Sequence, residues 1–95
     1  MLIKCEFSGG LETLFDNQKT LSVEINEGSN IQDLLNILKN SHLKKTPELF
    51  VTTDNRIRAG VLVLINDDDW ELHGCEDYML ENKDSIAFVS TLHGG

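Results

Sequence analysis

The sequence predicts an α+β domain, one main helix packed across a sheet. Two patterns point there: short segments in which apolar and polar residues alternate, and one segment whose apolar residues recur at helical spacing. A length of 95 residues fits one compact domain and no more. A chain of that size buries roughly two-thirds of its unfolded surface, enough to fold without a metal or a disulfide.

Residues 1–8 alternate, with Ile3, Cys5 and Phe7 on one face and Lys4, Glu6 and Ser8 on the other, which is strand periodicity. Gly9 and Gly10 end that strand, and Leu11, Leu14 and Phe15 form an apolar but irregular connection. Residues 20–25 alternate again through Leu21, Val23 and Ile25, so the first two strands predict a hairpin with a long loop. Ser29 and Gln32 have capping-box spacing, and Ile31, Leu34, Leu35 and Leu38 occupy one helical stripe, opposite the polar Gln32, Asn36 and Lys39. That stripe is expected against the inner face of the sheet. Pro47 makes Thr46 a poor helical residue, and residues 49–52 read as a short strand.

Val61–Ile65 is a run of five aliphatic residues, so it is either covered on both faces or has an outer face that meets a partner. On the second reading Val61, Val63 and Ile65 are candidate docking residues. Asn66, Asp67, Asp68 and Asp69 make a turn before Trp70, Glu71 and Leu72, and the stretch up to Asp84 mixes turn residues with Tyr78, Met79 and Leu80. Residues 85–91 read as the last strand, with Leu92, His93, Gly94 and Gly95 after it. The expected division is a folded body over residues 1–91 and a flexible tail over 92–95.

Sixteen acidic residues against eight basic ones leave a net charge of −8, which repels phosphate backbones and anionic membranes at long range and favours a basic protein partner. Cys5 and Cys75 are far apart and form neither a CxxC nor a zinc-like spacing, so both read as reduced thiols. No apolar run is long enough for a bilayer and no charged leader precedes an apolar stretch, so the expectation is a soluble, reducing compartment, the cytoplasm or nucleus, and separately a monomer.

Chemistry is expected at the tail. Gly-Gly would close roughly 0.5% of chains by chance, so a frayed end of two small residues is a real alternative. Its place directly after a predicted core strand favours function. A main-chain carboxylate reacts only if it enters another protein's active site, where a Cβ would crowd the channel, and glycine removes that obstacle. Gly95 is therefore the candidate attachment point, with Gly94, His93 and Leu92 as recognition residues.

Phe7, Gly9, Gly10, Glu12, Leu14, Phe15 and Asp16, then Pro47, Glu48, Leu49 and Phe50, then residues 60–72 with "VLVLINDDDWEL", Tyr78 and the ending "STLHGG" together resemble the ubiquitin-related modifier 1 family of sulfur carriers. The likeness covers nearly the whole chain, and the blocks at 60–72 and 90–95 are its specific part. Ala59, Thr46 and Cys75 depart from the family's usual residues, and none of the three touches the tail. The resemblance implies a β-grasp (ubiquitin-like) mixed sheet with its last strand central. It also implies an activating enzyme with a rhodanese-like domain that uses ATP to adenylate Gly95 and converts it to a thiocarboxylate. The sulfur would serve a transfer-RNA thiolation enzyme acting on wobble uridines, and the same end would be joined to lysines of target proteins. No cofactor is expected on the chain itself.

Other readings are weaker. His73, Gly74 and Cys75 suggest a thiol beside a base, but neighbouring side chains diverge and no orienting carboxylate is identifiable in sequence. Asp67 to Asp69 lacks the spacing, glycine and distal glutamate of a calcium loop, and His42, His73 and His93 are too scattered for a metal site. A molybdopterin-type carrier would share the Gly-Gly chemistry, and a ubiquitin-like domain whose tail is never activated would share the fold.

Overall fold

The computed structural model describes residues 1–44 and 46–91, so the expected tail over 92–95 lies outside the described residues. Strands β1 (Leu2–Ser8), β2 (Thr20–Glu24), β3 (Val61–Ile65), β4 (Asp68–Asp69) and β5 (Ser85–Ser90) form one sheet in the order β2-β1-β5-β3-β4. β1 pairs with β2 antiparallel and with β5 parallel, while β3 is antiparallel to both β5 and β4. The sheet is therefore mixed and its last strand is central, as the resemblance implied.

Alternation decides which residues meet the core. Ile3, Cys5 and Phe7 of β1, Val23 of β2, Val63 and Ile65 of β3, and Ile86 and Phe88 of β5 share the inner face and are almost wholly buried. Helix α1 (Ile31–Ile37) covers that face with Ile31, Leu34 and Leu35, and Leu38 continues the stripe. The helix then widens into a π-turn over Leu38–His42, closed by the Leu43 N–H donating to the Leu38 carbonyl at 2.8 Å.

Three local readings are corrected. The helix is capped by Asn30 and Asp33, one residue beyond the expected Ser29 and Gln32: the Asp33 N–H donates to Asn30 Oδ1 at 2.9 Å and the Asn30 N–H to Asp33 Oδ2 at 3.0 Å. The Ser29 carbonyl accepts the Leu80 N–H at 2.9 Å and the Ile31 N–H donates to Tyr78, and this tether to residues 78–80 sets where the helix can begin. Residues 49–52 are not a strand. A 3-10 turn over Pro47–Leu49 directs the N–H groups of Phe50 and Val51 back to the Pro47 carbonyl, both at 3.0 Å, leaving only a Val51–Ile57 bridge. The irregular link after Gly10 is likewise a 3-10 turn, Leu11–Phe15, whose Leu11, Leu14 and Phe15 are core residues.

The turn after β3 is as tight as a hairpin allows, with Asn66 and Asp67 at φ 49° and 73°. Its root is held by Asp84, the only charged residue buried among those described. Asp84 accepts from the Tyr78 hydroxyl and the Glu81 N–H at 2.8 Å each, and from Asn66 Nδ2 at 2.9 Å. Each carboxylate oxygen is thereby satisfied, which is the condition for keeping a charge inside.

Burial pushes the Cys5 thiol from its ordinary 9.0 up to about 12. The folded chain keeps this proton where the unfolded chain releases it, so the stability it contributes is complete below pH 9 and is lost as pH rises towards 12. Denaturant melts should weaken by up to about 1.4 kcal/mol per pH unit across that window. Cys5→Ala should flatten this alkaline slope, and an identical slope in the variant would disprove the assignment.

Candidate functional site

The end of β5 is fixed from both sides. On the β3 side, the Thr91 N–H and its Oγ1 both donate to the Gly60 carbonyl, at 2.8 and 2.7 Å. On the β1 side, Gly9 lies so close to Ser90 that a Cβ added to it would stand 2.2 Å from the Ser90 carbonyl oxygen, inside any tolerable contact. Gly9 also has φ +71°, a left-handed conformation that glycine adopts without strain. Beneath this end sit four phenylalanine rings: Phe7 stacks on Phe15 and Phe88 with centroids 4.0 and 5.7 Å apart, and Phe50 meets Phe15 and Phe88 edge-on at 5.3 Å each. The direction in which the chain leaves at Thr91 is set by backbone contacts over a rigid floor.

Leu92, His93, Gly94 and Gly95 lie outside the described residues. The docking candidates are corrected. Val63 and Ile65 face the core at 0% and 2% exposure and Val61 packs partly buried against it, because the register Val63↔Phe88 and Ile65↔Ile86 turns all three inward. The alternate residues Leu62 and Leu64 take the outer face beside Ala87 and Val89, with Leu62 39% exposed. A five-residue aliphatic run has no polar position to mark which parity faces out, so only the pairing resolves it.

The thiol reading loses its chemistry. Cys5 is buried, and Cys75, partly buried at φ +54°, has its thiol raised by burial first and then by Glu76, Glu71, Asp69 and Asp77, so the thiolate is opposed from several directions. His73 Nε2 is turned to Asp68 Oδ2 at 3.4 Å and its ring lies edge-on to Tyr78. Asp69 Oδ1 accepts the Glu71 N–H at 2.9 Å, so part of the acidic turn caps the 3-10 turn Trp70–His73. Among the described residues no group of three or more His, Cys, Asp or Glu side chains is placed to hold a metal ion.

The family described as Urm1 (Ubiquitin related modifier) matches residues 2–95. The chain belongs to this family of ubiquitin-related modifiers. It is 50% identical over 97 residues to the ubiquitin-related modifier 1 homolog of Dictyostelium discoideum, with all of both chains covered. It is 49% identical over 96 residues to ubiquitin-related modifier 1 of Homo sapiens, covering 98% of this chain and 94% of that one. The solution structure of Urm1 from Trypanosoma brucei superposes with a TM-score of 0.86 at 39% identity, covering 99% of this chain and 95% of that one. The mixed sheet with a central last strand is thus the β-grasp of a ubiquitin-related modifier.

Sequence reasoning placed the function after β5 and missed what holds that end: Gly9 was legible as a strand terminator, while its contact with Ser90 depends on a parallel pairing across the chain. Gly9→Ala should cost about 2 kcal/mol or more, combining left-handed strain with a forced shift of β5. Gly10→Ala, at φ +101° with open space where the Cβ would go, should cost only the strain, about 1 kcal/mol. Equal thermal shifts for the two would remove the close approach at Ser90 as a structural requirement.

Proposed function

We propose that this family member works as a sulfur carrier and protein modifier through the carboxylate of Gly95. An activating enzyme supplies the chemistry. The carboxylate attacks the α-phosphorus of ATP and pyrophosphate leaves, giving an acyl adenylate; a persulfide sulfur held by that enzyme's rhodanese-like domain then attacks the carbonyl and AMP leaves. A second thiol of that enzyme then attacks the enzyme-side sulfur of the resulting acyl disulfide, forming an enzyme disulfide and releasing Gly95 as a thiocarboxylate, an anion nucleophilic at sulfur that needs no base from its own chain. That sulfur would go to the thiolation of wobble uridine in transfer RNA, and the activated carbonyl would also take the amine of a target lysine in an isopeptide bond.

The observation that carries the reading is the double anchorage of Thr91 on Gly60 at the end of the central strand, four residues before Gly95. A body built to fix the root of a Gly-Gly segment gives an incoming enzyme a constant point of departure. The acidic surroundings of Cys75 and the burial of Cys5 leave neither thiol suited to act as the sulfur acceptor.

One residue appended after Gly95 should abolish adenylation and leave the thermal melt unchanged. It lies five residues beyond Thr91, the last residue described, yet it moves the reactive end by up to about 3.6 Å, and a displacement of about 1 Å can cost on the order of a hundredfold in rate. Intact mass spectrometry of the product reads the outcome, and an extended protein activated as fast as its parent would falsify the assignment to Gly95. A folded Cys5→Ala/Cys75→Ser variant should still become thiocarboxylated; complete loss would return the chemistry to a thiol.

A further inference from the structure

The net charge of −8 conceals a strong polarity. Five of the eight basic residues, Lys39, Lys44, Lys45, Arg56 and Arg58, fall within residues 39–58, opposed only by Glu48 and Asp54, so that segment carries +3 and the rest of the chain −11. The segment runs from the π-turn after α1 to the start of β3. Gln32 Nε2 donates to the Asn55 carbonyl at 2.6 Å, the Asn55 and Asn36 amides are hydrogen-bonded, and the Arg58 N–H donates to the Phe50 carbonyl at 3.1 Å. The segment forms an open surface cavity of about 350 Å³ lined by Lys39, Pro47, Glu48, Val51, Thr52, Thr53 and Arg58. Among the described residues neither Lys39 nor Arg58 forms an ion pair. One lining residue, Arg58, lies two residues before Gly60, whose carbonyl holds Thr91 at the end of the central strand.

We propose that this cavity receives an acidic segment of the protein whose active site takes the tail, an inference that rests on the reading of Gly95 as the working group. A glutamate or aspartate of that partner lays its methylenes against Pro47 and Val51 and places its carboxylate between the Lys39 ammonium and the Arg58 guanidinium, whose planar fork matches it. Glu48 is the one carboxylate in the wall, so the bound anion has to sit away from it. An extended phosphate backbone would fit worse, because beyond the first contact it meets a surface carrying −11. The same polarity orients approach: an acidic patch beside a tail channel attracts the molecule by its basic lobe and repels it by its acidic faces.

The test measures KM and kcat for thiocarboxylation of each variant by the purified activating enzyme. K39E/R58E, which takes the net charge from −8 to −12, should raise KM about tenfold with kcat within about twofold, as expected when charges guide docking and not chemistry. D67K/D77K, which alters two exposed acids and takes the net charge from −8 to −4, should leave KM within about twofold. The neutral pair K39Q/R58Q, with thermal melts beside it, should show an intermediate rise of about threefold and guards against misfolding of the reversed pair. An unchanged KM in both lobe variants overturns the proposal, as does a fall in KM for D67K/D77K as large as the rise for K39E/R58E, which would make net charge the governing quantity. If the parent itself is never activated, the reading of Gly95 fails and this inference falls with it.

Discussion

Phe88 points from the centre of the sheet onto Phe7 and Phe50, which both meet Phe15 in turn, and the tail end of the domain depends on that cluster. The four rings are all the phenylalanines in the chain, and they come from β1, from the 3-10 turn after it, from the segment before β3 and from β5. No two of these segments except the first pair are neighbours in sequence. Burying each ring contributes on the order of 2–3 kcal/mol, and truncating one to alanine typically costs 3–5, a large share of the roughly 5–15 kcal/mol by which a domain is stable. The cluster therefore does locally what a disulfide would do in a smaller secreted domain. It also makes the parallel β1–β5 pairing possible, because Phe7 and Phe88 are direct register partners as well as stacked rings.

A rigid floor under β5 gives the last described residues a defined geometry at little cost to surface freedom. Gly9 and Gly60 act through backbone, one by having no Cβ and the other by presenting a carbonyl, so the root of the tail places few demands on exposed side chains. At the opposite end of β5 the fastening is electrostatic instead. Asp84 collects Tyr78, Glu81 and Asn66, and the Tyr78 phenol is raised to about 12 by burial and by its bond to this carboxylate. One end of the central strand is thus set by packing and main chain, the other by a satisfied buried charge.

How much of this was legible in the sequence varies with the range of the interaction. β1, β2 and α1 were readable because their periodicity is local and one face of each is polar. The cap of α1 was misplaced by one residue because Ser29 and Asn30 are both good caps, and only the distant Leu80 decides between them. Val61, Val63 and Ile65 were docking candidates only on the reading that one face of the run meets a partner, and they turn to the core, a choice the sequence left open because an unbroken aliphatic run hides its parity. Asp84 was unreadable for a related reason, since nothing local distinguishes one buried carboxylate from fifteen solvated ones. The crowding of cations between Lys39 and Arg58 was in plain view, but the total charge drew attention away from it.

The polarity and the tail constrain each other through length. Four residues separate Thr91 from Gly95, and a fully extended chain spans at most about 3.6 Å per residue, so the carbon proposed to react lies within about 14 Å of Thr91. The body measures 37 × 26 × 24 Å, so an enzyme holding that carbon must press against the rim where β5 ends and cannot rest on the far side of the fold. At that rim the loop Arg58 to Gly60 flanks one side of Thr91, and the turn from Gly9 to Asp16, with Glu12 and Asp16, flanks the other. A partner there meets opposite charges on the two sides of Thr91, and screening in physiological salt, with its length of about 8 Å, mutes the more distant charges of the fold. Local charge at this rim, and not the sum over the chain, is therefore what a tail-binding surface has to match.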